Sequence, residues 1–103
     1  MKIYAAGEAQ SLDNPGSSIQ IITPALVVGI IDLGNNNGQN DFGWNGLKAV
    51  VELEGKRYVL DFIETSHMET DDGIEITSSD TDSQLWWPNK DDASRYKLEI
   101  ISA

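Results

Sequence analysis

The apolar residues of this chain fall in segments of roughly five to ten positions, separated by clusters of turn-forming residues. One cluster runs from Ser11 to Ser18 and a second from Gly34 to Asp41. Asp71-Asp72-Gly73 and Pro88 to Asp92 are two more. Gly, Pro, Asn and Asp interrupt regular structure because they supply positive φ, a fixed φ, or local side-chain hydrogen bonds. No segment sustains apolar residues at three-and-four spacing over a dozen positions, so the pattern is one of strands and turns.

The clearest element lies between Leu47 and Glu64. With Glu54-Gly55 as a two-residue turn, Val51 falls opposite Tyr58, Ala49 opposite Leu60, and Leu47 opposite Phe62. Strand side chains alternate between faces, so these six share one apolar face. The other face pairs Glu52 with Arg57, Val50 with Val59, and Lys48 with Asp61. Opposite charges and apolar groups thus match in a single register, and a slip of one residue would turn the apolar set toward water.

Ile19 to Ile22 and Ala25 to Leu33 read as two further strands, parted by Pro24. Leu26 to Ile31 is apolar at every position, which predicts a central strand covered on both faces. Ile74-Glu75-Ile76 and Tyr96 to Ile100 alternate and close the sheet, and Ile3-Tyr4-Ala5 adds an edge strand. Ser79 to Trp87 and Asn89 to Arg95 have room for one helical turn each, with Ser79 or Asn89 as cap. The expectation is an all-β fold, a small sandwich or barrel of six or seven mostly antiparallel strands with at most a short helix, over one domain spanning residues 1–103. An α+β sheet is the alternative.

Composition narrows the chemistry. Seventeen Asp and Glu face seven Lys and Arg, giving a net charge of -10, while a hydrophobic fraction of 40% is enough for a core. Such a charge opposes direct nucleic-acid binding, which depends on cations neutralising phosphates, and opposes docking on an anionic membrane. The opening Met1 to Glu8 is too short in apolar residues for a signal peptide, and no run approaches the roughly 20 residues of a membrane helix. A cytoplasmic protein is expected.

No cysteine is present, which removes disulfides, thiolate catalysis and the usual zinc sites. The single histidine, His67, adjoins Ser66, but neighbours in an extended segment point apart, so they do not form a nucleophile and base. Asp80-Thr81-Asp82-Ser83 begins like a calcium loop, yet Leu85 and Asp91 stand where that loop needs Gly and a bidentate Glu. No enzymatic activity, cofactor or metal is expected. Trp44 and the pair Trp86-Trp87 remain: in a strand, adjacent rings face opposite sides, so one of the pair packs inward and the other is displayed.

The charge is also unevenly spread. From Tyr58 to Asn89 there is no Lys or Arg, but there are Asp61, Glu64, Glu69, Asp71, Asp72, Glu75, Asp80 and Asp82. Concentrating one sign costs self-repulsion, a cost that a basic partner would relieve. The expected function is a small non-enzymatic inhibitor or immunity protein. It would occupy the basic surface of a nuclease or other nucleic-acid-handling protein, as anti-CRISPR and nuclease-immunity proteins of similar size and acidity do. Glu69, Asp71, Asp72, Asp80 and Asp82 would meet Lys and Arg of the partner, and Trp87 would be the apolar anchor. Folding could bring Lys2, Lys90 or Arg95 alongside. One alternative is a carbohydrate-binding β-module using Trp44 or Trp86. Another is a structural subunit whose Val50/Val59 pair and N-terminal strand meet a neighbour.

Overall fold

A computed structural model describes residues 2–33, 47–60, 67–71, 88 and 90–102. They form strands β1 (Ile3–Ser11), β2 (Ser18–Asp32), β3 (Leu47–Leu53), β4 (Lys56–Leu60), β5 (His67–Thr70) and β6 (Glu99–Ser102), with helix α1 (Lys90–Arg95) before β6. The strands make one sheet in the order β5-β1-β4-β3-β2-β6. An additional β1–β2 pairing closes β1, β2, β3 and β4 into a ring. The fold is a small all-β barrel with a short helix, and among the described residues every strand pairing is antiparallel except β2 with β6.

The β3–β4 hairpin has the register that its side chains dictate: Val50↔Val59, Val51↔Tyr58, Glu52↔Arg57 and Leu53↔Lys56. Glu54 and Gly55 both have positive φ, 54° and 79°, which twists the turn in the sense of its flanking strands. Ala49 and Leu60 are buried in the same cluster, as the predicted register requires. Asp61 and Phe62 lie outside the described residues.

Strand β2 departs from expectation. It is one 15-residue strand that runs through Pro24 rather than two strands parted by it. Pairing with β1 jumps from Ala5↔Ala25 to Gly7↔Ile21, so Ile22, Thr23 and Pro24 bulge out opposite Ala6. Proline is tolerated in a bulge because no ladder bond is demanded of it there. Gly7, at φ 137°, takes a backbone conformation that side chains disfavour and so turns the opposing strand through the same irregularity. The length of β2 closes the barrel: its first half pairs with β1, its second with β3, and Leu26 is opposite both Tyr4 and Glu52.

Strand β1 is likewise not an edge. It is nine residues long, with β2 along one side and β5 then β4 along the other. Ala5, Ala6, Ala9, Ala25 and Ala49 are buried in the main cluster with Ile3, Ile21, Val27, Val51 and Leu60. Alternating small and branched residues fill the interior of a narrow barrel, the alanines leaving room for the isoleucine, valine and leucine side chains beside them.

The opposite face of β3 and β4 is buried too. Val50, Val59, Ile31 and Leu33 form a second cluster, and Lys48 is only 3% exposed. Leu26 to Ile31 thus lies in a strand whose two faces serve different clusters, as its uniformly apolar sequence implies. Val50 and Val59 are buried within the chain, at 0% and 1% exposed, as are Ile3, Ala5 and Ala9 of β1 at 0%.

Chain exit from α1 also differs from the alternating strand expected over Tyr96 to Ile100, because β6 begins only at Glu99. It lies parallel to β2, with Gly29 opposite Glu99 and Ile31 opposite Ile101. The strand β5 was not evident from its four residues, and pairs with Ile3–Ala6 of β1. The expected strand at Ile74–Ile76, the helical turn at Ser79–Trp87 and the Asn89 cap lie outside the described residues.

Candidate functional site

Of the proposed acidic contact residues, Glu69 and Asp71 are described, and Asp72, Asp80, Asp82 and Trp87 lie outside the described residues, as do Trp44 and Trp86. Glu69 stands in β5 opposite Tyr4, half-buried and engaged in an interaction within the fold. Asp71 is exposed just past the end of β5. Its backbone N–H donates to the Lys2 carbonyl at 3.0 Å, and its Oδ2 accepts from the Lys2 backbone N–H at 3.4 Å. The β1–β5 ladder therefore carries the Lys2 backbone alongside Asp71.

The other described cations are spread over several sites. Arg57 faces Glu52 in the hairpin register, yet its ion pair runs to Glu99 at 3.1 Å. Both side chains of that pair are well exposed, at 38% and 55%, which limits its worth to under about 1 kcal/mol. Lys48 is buried and engaged within the fold. The Arg95 guanidinium lies 5.9 Å from the centre of the Tyr96 ring, a cation–π distance. Lys56 is exposed at the tip of the β3–β4 hairpin. Pairing every cation one-to-one would still leave ten of the 17 carboxylates unmatched.

Two concavities are lined by described residues. One of about 270 Å³ is lined by residues of the β1–β2 turn with Lys56 and Tyr58. Polar groups of that turn bond to one another: the Asn14 N–H donates to Ser11 Oγ at 3.0 Å and Asn14 Nδ2 to Ser17 Oγ at 2.8 Å. The other, of about 360 Å³, is lined by Leu26, Val27 and Val28 of β2, by Lys2, and by Tyr96 and Lys97 after α1. Sequence reading did not single out this second group. Its members come from three distant segments, and only the end of α1 gives a local signal, a non-glycine residue followed by Leu98 where the helix must stop.

Among the described residues, no three His, Cys, Asp or Glu side chains gather as a metal site would require. His67 lies in β5 with its backbone opposite Ala6, and Ser66 lies outside the described residues. No described helix is long and apolar enough to cross a membrane. Compared with models of known families, with curated proteins and with solved structures, the chain matches none, so a function has to be argued from its own residues.

Proposed function

We propose that this chain is a small acidic binding protein without catalytic activity that occupies the basic, nucleic-acid-handling surface of another protein. A nuclease-immunity protein or an anti-CRISPR-like inhibitor would act in this way in the cytoplasm. The observation that carries the reading is the surplus of ten carboxylates that no internal pairing can neutralise, eight of the 17 acids lying between Tyr58 and Asn89. An uncompensated field of this kind attracts and orients a cationic surface while repelling DNA and RNA themselves. Asp71, exposed at the end of β5, is held to Lys2 through two backbone-anchored hydrogen bonds and would present its carboxylate from a fixed position. Asp72, Asp80 and Asp82 would extend the same acidic surface, Glu69 would flank it, and Trp87 would supply an apolar anchor.

The test is capture by immobilised protein from nuclease-treated lysate, followed by challenge with duplex DNA and with salt. A captured protein that binds DNA by itself and is displaced by added duplex supports the proposal, as does weakening with salt through slower association. Capture indifferent to both duplex and salt contradicts it.

A further inference from the structure

Lys97 occupies a backbone position that glycine fills at lower cost. Helix α1 ends with the Tyr96 N–H donating to the Asp92 carbonyl at 2.9 Å and the Leu98 N–H donating to the Ala93 carbonyl at 2.8 Å. The second bond, spanning six residues, closes a Schellman cap, and it forces the residue before Leu98 into the left-handed region. That residue is Lys97, at φ 56°. Glycine is the usual occupant because it has no Cβ to clash with the following carbonyl. A strained residue at a concave surface points to a use for its side chain.

Lys97 lines the 360 Å³ cleft together with Lys2, Leu26, Val27, Val28 and Tyr96. Arg95 stands over the Tyr96 ring. Three of the seven cations of a strongly acidic chain thus gather at or beside one cleft. Apolar walls with a few converging polar groups are the usual make-up of a small-molecule site, and the volume falls within the roughly 300–1,000 Å³ of such sites.

We propose that this cleft binds a small organic monoanion, an aromatic or aliphatic body carrying one carboxylate or sulfonate. The body would lie against Leu26, Val28 and Tyr96, and the anionic group would meet the ammonium groups of Lys2 and Lys97. A lysine acts as a point charge and does not demand the bidentate geometry of guanidinium, which suits a singly charged head group. A polyanion is disfavoured, since repulsion from the net charge of -10 grows with each added charge on the ligand.

The experiment titrates the full chain with 1-anilinonaphthalene-8-sulfonate and with its uncharged counterpart, N-phenyl-1-naphthylamine, following fluorescence and backbone amide shifts. Saturable one-to-one binding of the sulfonate is expected, with shifts concentrated at residues 26–28 and 96–98. Lys97→Gly should melt no lower than the parent and bind the sulfonate more weakly by roughly five-fold, the scale of one partly exposed charge pair. Lys97→Gln, which keeps the backbone strain, and Lys2→Gln should each weaken it similarly without altering the circular dichroism. The proposal is overturned by an absence of saturable binding, by equal affinity for the neutral compound, or by shifts centred elsewhere. Unchanged affinity in the Lys97 variants overturns it as well. Probe affinity and partner capture are separate readouts, so this site and the acidic surface stand or fall independently.

Discussion

At Gly29, strand β6 approaches β2 closely enough that no side chain fits between them. A Cβ added there would lie 2.7 Å from Ile101 Cδ1 and 2.8 Å from the Glu99 carbonyl oxygen. The isoleucine tip could rotate away, but the carbonyl belongs to the β6 backbone and can move only if the strand does. Gly29→Ala should therefore destabilise the protein by about 1–3 kcal/mol, the usual cost of overpacking, read as a lower urea midpoint. A midpoint equal to that of the parent would mean that β6 does not press on β2. In the sequence this glycine looks like a gap in an apolar run. Its reason lies in a parallel pairing between segments some 70 residues apart, which no local pattern reveals.

Among the elements, the β3–β4 hairpin was legible because both its strands and its turn are contiguous, so cross-strand pairs could be read directly from the chain. The two faces of the hairpin were harder to rank. Charged residues at Lys48, Glu52 and Arg57 imply a wet outer face, but Val50 and Val59 are 0% and 1% exposed and belong to a second cluster. Replacing Val50 by Asp should cost several kcal/mol, comparable to the same change at Val51 on the inner face. The exposed bulge gives the control: Ile22 is 85% exposed, and Ile22→Lys should change stability by no more than about 0.5 kcal/mol. Denaturant titration of the three variants decides the matter, and a harmless Val50→Asp would return that face to solvent. Strand β1 was legible only as an edge strand over Ile3 to Ala5, because four of its nine residues are Ala or Gly, whose weak apolar signal conceals its full length and a position between β2 on one side and β4 and β5 on the other. The continuity of β2 through Pro24 escaped because a bulge, invisible in sequence, removes the hydrogen bond that proline cannot make.

For the molecule as a whole, overall charge and fold class were readable from the chain alone, since neither depends on which distant residues meet. The fine placement of charge was not. The ladder between β1 and β5 carries the Lys2 backbone to Asp71, and packing of β6 brings Glu99 to Arg57 in place of the expected hairpin partner Glu52. Neither meeting removes the imbalance, because seven cations cannot match 17 acids. The functional account thus rests on a surplus of negative charge acting on a partner and not merely keeping the protein dissolved. The most direct measurement replaces Asp71, Asp72, Asp80 and Asp82 together by Lys and compares capture of the basic partner with that of the parent chain. The predicted result is loss of capture with an unchanged β-type circular dichroism spectrum; undiminished capture by a folded variant would contradict the account.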